Sequence, residues 1–219
     1  MFRSVLTTAA AVFFAGAAVQ AQTVISYTVL QSGVSNVVSK TYSGLDGAGT
    51  SLTVSTARPG GLLTRAGGPG SFPGLWFGDD EQSAVYSFTF SAPVTFAEFL
   101  FTAVTNNGAS NETLSNFVSP SGALIGDYTN VQNTTWNGTT LFATAAGGSA
   151  VLGFSRAGGA SFSSISFNHN VLSGAPNGIV IERMRYTLGS TTTVPEPSTY
   201  ALMAVGLAAV GAASRRRRA

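Results

Sequence analysis

Between Thr23 and Leu188, apolar and polar residues repeatedly alternate with a period of two. Tyr86, Phe88 and Phe90 share one face of such a stretch, with Ser87 and Thr89 on the other. Further on, Met184, Tyr186 and Leu188 oppose Arg183, Arg185 and Thr187. A helix would return its apolar residues every three or four positions, so this period marks half-buried strands. It predicts strands over Thr23–Leu30, Val34–Tyr42, Thr50–Ala57, Ala84–Phe90 and Val94–Val104. Later strands are predicted over Gly122–Tyr128, Thr139–Ala145, Ala150–Phe154, Ser163–Asn168 and Gly178–Leu188. Turn-forming pairs punctuate them: Asp46-Gly47, Asn107-Gly108, Asn137-Gly138, Gly158-Gly159 and Asn177-Gly178. Short strands at near-regular spacing predict an all-β fold, an antiparallel β-sandwich or jelly roll over residues 22–190. The Gly- and Pro-rich segment from Arg58 to Gly78 reads as a long loop carrying Trp76 and Phe77.

Two stretches depart from this pattern. From about Val5 to Val19 the chain is apolar, behind the basic Arg3, and ends in the small-residue pattern Val19-Gln20-Ala21. This is the layout of a secretory signal peptide over residues 1–21, with cleavage between Ala21 and Gln22. The alternative is an N-terminal buried helix, against which the absence of an amphipathic stripe argues. At the other end, Tyr200 to Ala213 is a fourteen-residue run without charge, followed by Ser214 and Arg215, Arg216, Arg217 and Arg218. As a helix it is about 21 Å long, short of the roughly 30 Å hydrocarbon core. Snorkelling arginines narrow that gap and favour the cytoplasmic side. A buried C-terminal helix is the other reading, and the four-arginine stop opposes it. Thr191-Thr192-Thr193 reads as a linker. In Val194-Pro195-Glu196-Pro197-Ser198, two prolines keep the backbone extended, as a processing enzyme needs.

Composition sharpens this picture. Charged residues make up 9% of the chain, against roughly 25% in an average soluble domain. Cysteine is absent and His169 is the one histidine, which excludes disulfides, thiolate metal sites and any mechanism needing two imidazoles. The net charge of +2 comes from the ends. Between Gln22 and Thr193 six basic residues face eight acids, so nucleic acid is not an expected partner.

The tail VPEPSTYALMAVGLAAVGAASRRRRA, residues 194–219, closely resembles the PEP-CTERM sorting signal. Motif (194–199), transmembrane helix (200–214) and arginine cluster (215–218) occur in order. The resemblance implies a Gram-negative bacterium that makes extracellular polysaccharide. It implies export by the general secretion machinery and a transient inner-membrane anchor. It also implies an exosortase, a membrane-embedded cysteine transpeptidase that would cut near Pro195-Glu196-Pro197 and deliver the protein to the cell surface or beyond.

Candidate chemistry in the middle region is sparse. No Gly-x-Ser-x-Gly elbow, Ser-x-x-Lys or His-Glu-x-x-His motif and no phosphate loop occurs. Trp76, Phe77 and Trp136 are candidates for an exposed platform on which sugar rings stack; core packing is the competing fate of each ring. Asp79, Asp80 and Glu81 form the densest acidic cluster. No cofactor is expected, and Ca²⁺ is the ion these three would suit; a solvated turn is the simpler alternative. His169 reads as a strand-end residue in solvent. The expectation is a non-enzymatic, structural or adhesive protein of the cell surface or extracellular matrix, associated with exopolysaccharide. The alternative is a secreted hydrolase acting on polysaccharide, for which no carboxylate pair stands out.

Overall fold

The structure is a computed structural model that describes residues 22–32, 34, 36–58, 61–65, 73–77, 82–176, 178–189 and 207, with backbone alone at 62–65. The chain divides into two units, Met1–Gly189 and Ser190–Ala219. The first unit is nearly all β: one antiparallel sheet that curls on itself, with almost no helix.

Its strands are β1 (Gln22–Ser26), β2 (Ser39–Tyr42), β3 (Leu52–Thr56), β4 (Leu62–Arg65), β5 (Gly74–Phe77), β6 (Ala84–Val104) and β7 (Asn111–Val118). The later ones are β8 (Ile125–Gln132), β9 (Thr134–Trp136), β10 (Thr140–Ala143), β11 (Gly148–Ser155), β12 (Phe162–Ser173) and β13 (Ile179–Leu188). A single helical turn, α1 (Tyr27–Leu30), follows β1.

The 21-residue β6 organises the sheet. Its first part pairs with β3 and β12, and its last part with β11 and β13. Between them, at Ser91-Ala92-Pro93, the register against β12 shifts, and the register against β13 shifts just after, at Thr95. Proline has no N–H to donate to a ladder, so a bulge is where a strand tolerates it. Pro93 still accepts a hydrogen bond from Gly189 N–H through its carbonyl, at 2.8 Å. The two parts of the sheet face one another across aromatic side chains. Phe88 from early β6 meets Phe99 from late β6 at 5.0 Å between ring centres. Phe167 on β12 stacks on Phe88 at 5.6 Å and meets Phe101 edge-on at 5.5 Å. Each such pair contributes about 0.5–1.5 kcal/mol beyond its buried area.

Several elements differ from the sequence expectation. The two strands predicted over Ala84–Phe90 and Val94–Val104 are one strand. The stretch predicted as Thr23–Leu30 leaves the sheet at Tyr27, where α1 turns Leu30 into the core. Strands β7 and β9 were not expected.

The segment 58–78 is corrected most. It contains β4 and β5, paired with each other, and β5 pairs in turn with β13. Gly74 permits this approach, with φ at +150°. A Cβ there would lie 2.4 Å from the Ile181 carbonyl oxygen, so only glycine lets β5 close on β13.

A candidate ligand groove beside Trp136

Strand β5 settles two of the three candidate rings. Phe77 is fully buried, its ring centre 4.6 Å from that of Tyr86 and 5.7 Å from that of Phe167. Trp76 is 4% exposed and packs with Ala103 and Val180. The three-ring surface platform is therefore not formed, because the β4–β5 pair carries Trp76 and Phe77 into the interior.

Trp136 has a different setting. It ends β9, opposite Leu141 of β10, just before the turn that joins these strands. Asn137 shapes that turn: its Oδ1 accepts hydrogen bonds from the N–H groups of Thr139 and Thr140 at 3.0 and 2.8 Å. Gly138 supplies the left-handed residue, with φ at +96°. The half-buried Trp136 meets Phe117 edge-on at 5.6 Å, and Phe117 stacks on Phe154 at 4.8 Å. These three rings line a groove of about 370 Å³, with Asn116 and Thr139 among its polar borders. Gly126 of β8 keeps one wall low, since a Cβ there would sit 3.4 Å from the indole. No charged side chain among the described residues lines the groove. It offers an aromatic-lined apolar surface bordered by an amide and a hydroxyl, a setting suited to a neutral polyhydroxylated ring.

A second cavity, about 240 Å³, is lined by Trp76, Thr105, Asn107 and Ser110. Its polar groups are engaged within the fold, and Ser110 Oγ accepts the Ala175 N–H at 3.2 Å. Asn107 Oδ1 accepts from Ala109 and Ser110 N–H, and Thr105 Oγ1 donates to the Ala103 carbonyl.

The carboxylates at Glu112, Glu98 and Asp46 are committed to structural bonds. His169 is not in solvent: it points inward from β12, fully buried, with Nε2 2.8 Å from Glu112 Oε2. Glu112 Oε1 accepts the Thr105 N–H at 3.0 Å, and His169 Nδ1 has no hydrogen-bond partner among the described residues. Glu98 receives Arg185 through Nε at 2.7 Å and through Nη2, from the residue directly opposite on β13. Asp46 accepts Tyr186 Oη at 2.7 Å and the N–H groups of Ala48 and Thr50. Burial works to raise the Asp46 pKa, but these hydrogen bonds outweigh it and leave it below its usual value. Tyr186 is held above the ordinary tyrosine range by burial and by Asp46.

No cluster of three or more His, Asp or Glu side chains gathers around a metal position among the described residues. Asp79, Asp80 and Glu81 lie outside those residues, as do Ala21, Val194, Pro195, Glu196, Pro197, Ser198 and Arg215–Arg218. Gln22 opens β1 and is exposed.

Comparison with known proteins bears on the tail. Residues 193–218 match the family described as the PEP-CTERM protein-sorting motif. The tail is a PEP-CTERM motif. The chain is thus an exported protein of the kind an exosortase sorts, made as a membrane-anchored precursor and processed for export. The PEP-CTERM match starts and stops one residue before the boundaries read from sequence, 194 and 219. No curated protein and no solved structure matches the chain. The PEP-CTERM motif assigns a route, and the groove beside Trp136 is what the β unit adds to it.

Proposed function

We propose that this is a structural or adhesive protein of the Gram-negative cell surface or extracellular matrix, and that it holds exopolysaccharide in the Trp136 groove. In this reading residues 1–21 are a signal peptide and 22–190 a β-sandwich of jelly-roll type. Residues 191–193 are a linker, 200–214 a temporary transmembrane helix, and Arg215–Arg218 its cytoplasmic stop. The protein acts without catalysis and without a cofactor. The groove carries the proposal: three aromatic rings are presented beside an amide and a hydroxyl, with no ionisable side chain among them. Exosortase sorting supports the location. The commitment of Glu98, Glu112 and Asp46 to structural bonds supports a binding role over hydrolysis.

Co-sedimentation of the protein with exopolysaccharide from its own matrix tests this. Replacing Trp136 by Ala should lower retention about five- to 150-fold, on the scale of about 1–3 kcal/mol that aromatic stacking on a nucleobase contributes. Thr139→Ala should lower it less. Retention unchanged in Trp136→Ala would remove the groove from the reading. Release of reducing ends by the unaltered protein would replace binding with hydrolysis.

A further inference from the structure

Strand β8 lies at one end of the run β13–β6–β11–β8, and among the described residues it pairs with β11 alone. Its other edge presents backbone N–H and C=O groups with no strand beside them among those residues. Proteins usually blunt such an edge with Lys, Pro, a central bulge or a covering segment, because an open edge templates further strands. The β8 sequence IGDYTNVQ has no Lys, Arg or Pro, and Asp127 is its one charge. Every residue but Tyr128 is exposed. The register shift against β11 falls only near the end, at Val131.

Alternation sorts these side chains. Tyr128 Oη donates to the Thr134 carbonyl at 2.7 Å, and Asn130 Oδ1 accepts from Thr134 Oγ1 at 2.9 Å, which places both on the inner face. Ile125, Asp127 and Thr129 therefore share the outer face, and Val131 follows exposed at the register shift. Ile125 and Val131 are 55% and 57% exposed, two of the most exposed large apolar residues described.

We propose that β8 pairs antiparallel with β8 of a second copy of this chain, about a two-fold axis through Tyr128. In a continuous antiparallel sheet, opposed residues share a face, which restricts the register to a few choices. An axis through Tyr128 sets Ile125 opposite Val131 of the second copy, and Asp127 opposite Thr129 of the second copy. The apolar residues then cover each other twice, and no like charges meet. Moving the axis to Asp127 sets two carboxylates face to face. Moving it to Thr129 sets Asp127 against Val131 of the second copy. The edge is thus self-complementary in one register, as an isologous interface requires. An eight-residue edge is smaller than a standard interface of roughly 1,600 Å². The association is therefore weak in dilute solution and takes hold where copies are crowded, as on a surface.

The absence of native cysteine makes a direct test available. Full-length Asp127→Cys and Thr129→Cys proteins are mixed in detergent at high concentration under mild oxidation. Opposed residues of an antiparallel pair stand about 4.5–5.5 Å apart at Cα, within disulfide reach. A disulfide-linked dimer should form in the mixture, at least tenfold more than in either variant alone. Ile125→Lys with Val131→Lys should weaken dimerisation of the cysteine-free protein at least tenfold by sedimentation, with the melting temperature unchanged. A monomer at every concentration, or equal crosslinking in the separate and mixed variants, would overturn the proposal. Crosslinking of Asp127→Cys with Val131→Cys in preference would overturn the register.

Discussion

At the residue scale, the Glu112–His169 pair is a fully buried polar contact. Glu112 also accepts the Thr105 N–H, whereas Glu112 is the hydrogen-bond partner described for the His169 ring. Removing one member should strand the other, so Glu112→Ala should destabilise the fold by about 3–5 kcal/mol. A Glu112→Leu/His169→Phe double variant should recover part of that loss, because the two apolar groups need no partner while the Thr105 N–H still loses its acceptor. Urea unfolding of the three proteins checks the ordering. Asp46 governs a different property. Its folded-state pKa lies below the unfolded value, taken as 3.8. Its stabilisation is therefore fully present above that value and lost as pH falls through the folded-state pKa. The melting-temperature gap between the native protein and Asp46→Asn should stay constant near neutrality and shrink below about pH 4. A gap that persists unchanged to pH 2 would count against the hydrogen-bonded carboxylate.

At the scale of elements, Gly74 decides whether β5 joins the sheet. Gly74→Ala adds a Cβ against the Ile181 backbone in a conformation that L residues rarely adopt. It should cost about 2–4 kcal/mol, read as a lowered denaturation midpoint with greater exposure of Trp76 to quencher. An Ala substitution at Gly108, whose added Cβ meets nothing within 4 Å, provides the milder comparison, carrying only its positive φ. The same elements show where sequence reasoning reached and where it stopped. Strict alternation made early β6 and β13 legible, because one face of each is core. Strand β7 was missed because its inward positions include Glu112, which reads as a surface residue until its partner is known. His169 was assigned to solvent for the same reason, although it continues the inward series Ile165, Phe167. That continuation was the signal available in the sequence. β5 was missed because flanking Gly and Pro usually mark loops, and the close approach Gly74 permits is a tertiary fact. Of the candidate groove, only Trp136 was visible. Phe117, Gly126 and Phe154 come to it from three other strands.

At the scale of the whole molecule, the tail and the β unit divide the work. The PEP-CTERM motif sets the itinerary, and the β unit supplies what is delivered. The β unit holds itself together with few charges. Cross-strand hydrogen bonds and a shared aromatic interior act beside the Arg185–Glu98 pair, without disulfides. The long strand β6 has a consequence for how that interior is lost. Because the same backbone belongs to both parts of the sheet, neither part can melt while the other keeps its central strand intact. Amide exchange along Val85–Phe90 and Ala97–Phe101 should therefore converge on one opening free energy, that of global unfolding. An exported protein whose sheet opens only as a whole would present no half-open form to a protease.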